Sequence, residues 1–111
     1  MKDQDFFCLH SELCKTLANA KRQAILNALR DGEASVSEVV RRTGIPQPTV
    51  SQHLATLRAK GVVLSRRDGA NVLYRVSNPK IIQAFDLITE VMRETLEQQA
   101  RSVEARDETT E

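Results

Sequence analysis

The sequence predicts a mainly α-helical fold with a β-hairpin wing, in the order of a winged helix-turn-helix: four helices, the hairpin and a final helix. Three observations lead to this prediction. Gly44 and Pro46 separate two short amphipathic segments near the middle of the chain. Two short apolar runs follow, at 62–67 and 71–76, and a glycine-containing turn joins them. Apolar residues recur at helical spacing near both ends of the chain.

The first helix of the central motif begins at a capping box. Ser35 and Glu38 stand three residues apart, a spacing that satisfies free amides at a helix start. Gly44 ends this helix, because glycine adopts a left-handed backbone conformation at little cost. Pro48 falls in the first turn of the second helix, 47–60, where a missing amide is tolerated. Pro46 precedes that helix, so we expect no side-chain cap there.

The second helix of the motif has one apolar and one polar face. Val50, Leu54 and Leu57 repeat at helical spacing and are expected to face the core. The polar face has no acidic residue, and Gln and Thr side chains can donate to and accept from base edges in a major groove. On this helix and the wing, the residues expected to bind DNA are Gln47, Thr49, Ser51, Gln52, His53, Thr56, Arg66, Arg67 and Asn71. His53 has a second interpretation, in which it braces the helix and touches no base.

Positive charge is concentrated in the same part of the chain. Residues 36–76 hold seven basic and two acidic residues, a net charge of +5, whereas the whole chain carries +1. A nearly neutral protein has therefore placed its cations where DNA phosphates would lie. The alternative is a solvated face of an ordinary helical domain. The basic residues are Arg41, Arg42, Arg58, Lys60, Arg66, Arg67 and Arg75.

Helices are also predicted at the two ends of the domain, at 3–17 and 79–100. The last helix has a wider apolar stripe than one core contact requires, which is typical of a helix that packs on a partner. The alternative is a monomer whose last helix covers its own core. Residues 101–111 are polar and rich in acids, and we expect a disordered tail. The apolar residues expected at a dimer interface are Phe6, Leu9, Leu13, Phe85, Ile88 and Met92.

Length and composition agree with one small domain, at 1–100. The chain has 111 residues, of which 41% are hydrophobic and 28% are charged, as in soluble globular proteins. No apolar run approaches the ~20 residues of a membrane span. The N-terminal residues lack the apolar region of a signal peptide, so we expect a cytoplasmic protein. No phosphate loop, nucleophile elbow or metalloprotease motif is present, and we expect no enzyme.

The sequence resembles the ArsR/SmtB family of winged-helix repressors over roughly residues 10–95. The run 49–54, followed by Leu57 and by 61–63, is the most specific part of the match. The resemblance implies a transcriptional repressor that forms a homodimer through its first and last helices and binds a palindromic operator in double-stranded DNA. Ala70 departs from the family, which often has a basic residue after the wing glycine. Further matches are 17–19, Lys21, Arg22, Ile25, Leu26, Gly44, Ile45, 66–69, Leu73 and Tyr74.

Members of this family often sense metals or thiol reagents, but the two common metal sites are absent. The helix at 37–42 has no cysteine, and the last helix has Asp86 but no histidine. Cys8 and Cys14 remain, and their thiolates could bind a soft metal ion or react with a thiol-reactive effector. On one helix they would stand ~9 Å apart along the axis and ~120° apart around it. Both could then serve one site only if the helix start unwinds or a dimer partner contributes.

Three alternatives stay open at this point. Cys14 could be a small buried apolar residue and Cys8 an incidental surface thiol. The regulator could bind DNA without any small-molecule effector. A winged-helix module that has lost DNA binding could instead bind other proteins.

Overall fold

In the computed structural model, the backbone of residues 2–109 and the side chains of residues 2–106 are described. The chain divides into two compact units, Met1–Pro79 and Lys80–Glu111. The predicted order of helices and hairpin is confirmed, and one short strand, β1, is added to it. The elements are α1 (Asp3–Leu17), α2 (Ala20–Ala28), β1 (Ala34–Ser35), α3 (Val36–Thr43), α4 (Gln47–Ala59), β2 (Val63–Asp68), β3 (Asn71–Val76) and α5 (Lys80–Thr109).

An aliphatic core lies in the first unit, where α2, α3, α4 and the sheet meet. Val50, Leu54 and Leu57 are fully buried, as their spacing predicted. Burial of this side of α4 turns the opposite side of the helix towards solvent. The other buried apolar residues are Ile25, Leu26, Leu29, Ala34, Val39, Val62 and Val63.

Local signals set the ends of α3 and the start of α4. The hydroxyl of Ser35 accepts a hydrogen bond from the amide of Glu38 at 3.2 Å, which confirms one half of the predicted capping box. The carboxylate of Glu38 accepts from Arg42 at 3.2 Å. Gly44 ends α3 in the left-handed conformation, with φ of 73°. Pro46 precedes α4 without a side-chain cap, as expected.

The hairpin is the larger part of a three-stranded sheet. β2 and β3 pair antiparallel, from Val63 with Val76 to Asp68 with Asn71. A two-residue turn joins them, and its first residue, Gly69, has the positive φ (62°) that such a turn requires. β1 pairs with the other edge of β3, so the strand order is β1-β3-β2. β2 begins and ends one residue later than predicted.

α1 is attached to α2 at its C-terminal end. Thr16 is the one buried side chain among the described residues of α1. The carbonyl group of Thr16 accepts from the Arg22 side chain at 3.1 Å, and that of Leu17 accepts from the Gln23 side chain at 2.8 Å. The last carbonyl groups of a helix have no partner within it, so these bonds satisfy two of them.

α5 is a single helix of 30 residues. It continues through 101–109, where we expected a disordered tail, while residues 110 and 111 of that tail lie outside the described residues. The physical reason is that the end of the chain has no glycine or proline and is rich in Ala, Glu, Gln and Arg, which favour helices. Glu97 also precedes Arg101 by four residues, a favourable order of charges. No helix in the described part of the chain is long and apolar enough to cross a membrane.

Candidate nucleic-acid interface

The polar side of α4 forms one surface, which we call the outer face of α4. Ser51 and Gln52 are exposed on it, and Thr49 and Thr56 are half-buried; Gln47 is exposed in the first turn of the helix. α4 contains no acidic residue, so a phosphate approaching this face meets no carboxylate of the helix. The hydroxyl of Thr56 donates to the carbonyl of Gln52 at 3.2 Å and keeps its lone pairs for a donor. The surface can therefore donate to and accept from base edges.

His53 is half-buried at the edge of this face. Its Nδ1 atom accepts a hydrogen bond from Nε of Arg22, on α2, at 3.2 Å. Burial, followed by the positive charges of Arg22 and Lys21, lowers the pKa of His53 below its ordinary value. The bracing interpretation of His53 thus has a defined contact, and contact between this side chain and DNA stays a prediction.

The two consecutive arginines of the wing have different surroundings. Alternation along β2 places Arg66 and Arg67 on opposite faces of the hairpin. Nε and Nη2 of Arg66 donate to the two carboxylate oxygens of Glu33, at 2.6 and 3.1 Å. These hydrogen bonds lower the pKa of Glu33 and raise the pKa of Arg66. Arg67 is exposed, as is Asn71 at the start of β3.

Outside β2, one cation of the segment 36–76 forms an ion pair, and the other four do not. Arg42 donates to Glu38 at 3.2 Å and to the carbonyl of Ala28 at 2.7 Å. Within the part of the chain that the structure describes, five arginines and lysines of this segment have no ion pair within 4.0 Å, counting Arg67 of the wing. Their charges are free for an external anion. These five are Arg41, Arg58, Lys60, Arg67 and Arg75.

Both cysteines are free and exposed on α1, which is continuous between them. The two thiols of one chain therefore keep the separation that an unbroken helix imposes, and they do not form one site by themselves. Cys14 has a neighbour one turn away, since its Sγ lies 3.5 Å from Nδ1 of His10. Among residues 2–106, no three His, Cys, Asp or Glu side chains are grouped so as to hold a metal ion. One interpretation of the sequence made Cys14 a buried apolar residue, but Cys14 is exposed in the single chain.

The apolar residues expected at a dimer interface are exposed in the single chain. On α1, the exposed fractions of Phe6, Leu9 and Leu13 are 57%, 55% and 40%. On α5, those of Ile88 and Met92 are 60% and 59%, and Phe85 is exposed to 37%. Exposed apolar stripes of this length on soluble helices usually pack on a partner.

Sequence reasoning missed two residues that shape the site. Arg22 belongs to the part of the sequence that resembles the family but has no predicted contact, and Glu33 lies just outside the basic segment 36–76. Arg22 contacts His53, which is 31 positions further along the chain, and Glu33 contacts Arg66, which is 33 positions further along. The acidic residues ahead of the basic wing were a weak signal that does not single out Glu33, and nothing in the local pattern pairs Arg22 with His53.

Comparison with known proteins identifies the family. The model of the arsR family of bacterial regulatory proteins matches residues 19–65. The regulator KmtR of Mycobacterium tuberculosis is 44% identical over 79 residues, which are 71% of this chain and 61% of KmtR. The chain thus spans less than two thirds of the length of that relative. The biofilm growth-associated repressor of Xylella fastidiosa is 40% identical over 78 residues, 70% of this chain and 68% of the repressor.

A solved structure agrees with the fold. It is the homodimeric winged helix-turn-helix DNA-binding domain of a possible ArsR-family transcriptional regulator from Mycobacterium bovis. The TM-score is 0.75 at 31% identity, over 88% of this chain and 93% of that domain. Sequence and structure together show that this chain belongs to the arsR family of bacterial regulatory proteins.

Proposed function

We propose that this chain is a sequence-specific DNA-binding transcriptional repressor that works as a homodimer in the cytoplasm. One observation carries the proposal: the outer face of α4 is polar, accessible and free of acids, and cations without an ion pair lie in the same segment of the chain. Family membership supports a regulatory role. The Xylella relative is named a repressor, which favours repression as the direction of control.

The two parts of the motif have separate roles in this proposal. Residues of the outer face, with Gln52 near its centre, read base edges in the major groove, where glutamine can bond adenine through two hydrogen bonds. Arg67 and Asn71 on the wing contact phosphates, which fix position without selecting a sequence. We expected the same of Arg66, but its pairing with Glu33 leaves that role to Arg67.

A second copy of the chain is the proposed partner of the exposed apolar residues on α1 and α5. A two-fold dimer presents two copies of α4 with the symmetry of a palindromic operator. The related domain from Mycobacterium bovis is itself described as homodimeric. Burial of these side chains would supply the driving force, because apolar surface contributes roughly 25 cal/mol per Å² removed from water.

The finer proposal concerns an effector. We propose that a soft metal ion or a thiol-reactive compound acts at Cys8 and Cys14 and lowers the affinity for DNA. Both thiols are exposed on α1, the helix that we assign to the dimer, so modification there would alter the interface. Because α1 is continuous between them, a shared ligand needs cysteines from both copies or an unwound helix start. A regulator without an effector is the competing account.

The decisive experiment asks whether the native protein selects a sequence. Duplexes would be selected repeatedly from random DNA, and the affinity for the winning duplex measured as a function of salt concentration. We expect log affinity to fall linearly and steeply with log salt, with tighter binding of the selected duplex than of a scrambled one. Selection of no sequence, together with no dependence on salt, would instead favour a protein-interaction module.

A further inference from the structure

Arg22 lies where three helices meet. From the first turn of α2, its Nη1 donates to the carbonyl of Thr16 in α1, and its Nε donates to Nδ1 of His53 in α4. The backbone at this position is also fixed, because the amide of Arg22 donates to the side chain of Asn19, the cap of α2, at 3.1 Å. The half-buried guanidinium thus connects the end of α1 to α4, and its own backbone is held in place by the cap of α2.

The bond from Arg22 determines which nitrogen of His53 carries hydrogen. A guanidinium has only donors, so Nδ1 must accept. In a neutral imidazole one nitrogen accepts and the other is protonated, and the hydrogen of neutral His53 is therefore on Nε2. The lowered pKa of His53 favours this neutral ring at physiological pH.

The Nε2 atom of His53 faces solvent. It has no hydrogen-bond partner among the described residues, and no buried side-chain nitrogen or oxygen among them lacks a partner. His53 stands one turn from Thr49 and from Thr56, at the edge of the outer face of α4. Neutral His53 therefore keeps one donor, Nε2–H, that no described group of the chain uses, on a residue at the edge of the outer face of α4.

We propose that Arg22 is a positioning residue for DNA binding: it holds the ring of His53 so that the Nε2–H group donates a hydrogen bond to an acceptor on DNA. This inference rests on the proposed DNA binding and deepens it. Phosphate oxygens and the acceptor atoms of base edges share the chemistry required. The end of α1 gains a role as well, because displacement of the Thr16 carbonyl would loosen Arg22 and, through it, the imidazole.

The first test needs no DNA. Long-range nitrogen–proton NMR spectra distinguish the two neutral tautomers, and a His10→Gln variant assigns the signals of the only other histidine. We expect native His53 to be the Nε2–H tautomer and Arg22→Ala to give a mixture of both. A native ring protonated on Nδ1 would overturn the proposal. This measurement stays decisive if the native protein selects no DNA, an outcome that would count against the proposed function alone.

The second test measures affinity for the selected and the scrambled duplex. We expect Arg22→Ala and His53→Ala each to weaken binding of the selected duplex on the order of tenfold, the size of one lost contact. The variant that combines the two substitutions should bind DNA no more weakly than whichever single variant binds less tightly, because each single substitution removes the same contact. Additive losses would contradict the coupling. Loss on the selected duplex alone identifies a base as the acceptor, and equal loss on both duplexes identifies a phosphate.

Two matched controls distinguish the positioning of His53 by Arg22 from a general effect of positive charge and from a loss of fold stability. Lys21→Ala removes a neighbouring cation whose charge also acts on His53, and we expect a smaller loss than for Arg22→Ala. His53→Asn keeps an acceptor near the position of Nδ1 and has no donor at that of Nε2. It should melt like the native protein yet bind as weakly as His53→Ala. Native affinity in His53→Asn would show that the bond to Arg22 braces the fold and that Nε2 does not contact DNA.

Discussion

The guanidinium of Arg66 donates to both carboxylate oxygens of Glu33, at 2.6 and 3.1 Å, and so ties β2 to the residue that precedes β1. The two side chains remain 56% and 33% exposed, and ion pairs of this kind contribute little to stability. The consequence is geometric: the ion pair holds the middle of β2 close to the loop that leads into β1 and α3. Because the charge of Arg66 is already balanced by Glu33, Arg67 is the arginine of β2 that has no ion pair with a described residue.

The two wing arginines should therefore respond differently to the same substitution. Arg67→Ala should weaken binding of the selected and the scrambled duplex alike and reduce the slope of log affinity against log salt by about one. The double variant Arg66→Ala, Glu33→Gln, the matched control, should leave that slope nearly unchanged, since it removes a pair that carries no net charge. Fluorescence anisotropy titrations at four salt concentrations would measure both slopes. Equal reductions in the two variants would mean that DNA displaces Glu33 from Arg66.

Gln52 should determine sequence choice. The Gln52→Ala variant is expected to lose about 1–3 kcal/mol of binding free energy on the selected duplex and little on scrambled DNA. Gln83→Ala, which removes an exposed glutamine from α5, serves as the control and should bind like the native protein. An unchanged ratio of the two affinities in Gln52→Ala would show that the outer face of α4 does not read bases.

The sequence predicted the elements that depend on neighbouring residues. Ser35 and Gly44 set the ends of α3 through bonds within four residues, and the two-residue turn at Gly69 follows from one glycine. The contacts of Arg22 and Glu33 could not be predicted, because each depends on how helices and strands pack across more than 30 residues. The end of α5 was misplaced because acidic composition suggested disorder, whereas helix propensity and the absence of breakers favoured continuation.

The stability of the fold should depend on the protonation of His53. Burial, Arg22 and Lys21 lower its pKa in the folded state, so the unfolded chain binds a proton more readily. Its contribution to stability is therefore fully present above the unfolded pKa of about 6.5 and is lost as pH falls through the lower, folded pKa. Urea unfolding between pH 5 and 8, in a His10→Gln background, would measure this slope. His53→Asn should abolish it, and an unchanged slope in that variant would assign the dependence to carboxylates.

The dimer should depend on the apolar residues of α5. Ile88→Glu would place a charge in the proposed interface, where an unpaired charge costs on the order of several kcal/mol. Sedimentation should show that this variant is a monomer, with the circular dichroism of the native helices. Gln83→Glu adds the same charge to the opposite side of α5 and should leave the dimer intact. A normal dimer in Ile88→Glu would exclude this stripe as the interface.

The cysteines on α1 give the last prediction. We expect arsenite, a soft metal ion or a persulfide donor to release DNA from the native protein, because Cys8 and Cys14 are its only thiols and both are exposed. The Cys8→Ser, Cys14→Ser double variant should bind DNA as tightly and resist release. His10→Gln removes the imidazole that lies 3.5 Å from the Sγ of Cys14, and release at the native rate in that variant would show that the thiols react without it.

Mass spectrometry of the treated native protein distinguishes the two routes to a shared site. Because α1 keeps the two thiols of one chain apart, a bridging arsenic or a disulfide should join cysteines of two copies, and the covalent product should have twice the mass of one chain. A bridge within one chain would show that the start of α1 unwinds. Release of DNA from the double variant at the native rate would remove the cysteines from the mechanism and leave a repressor controlled without a thiol effector.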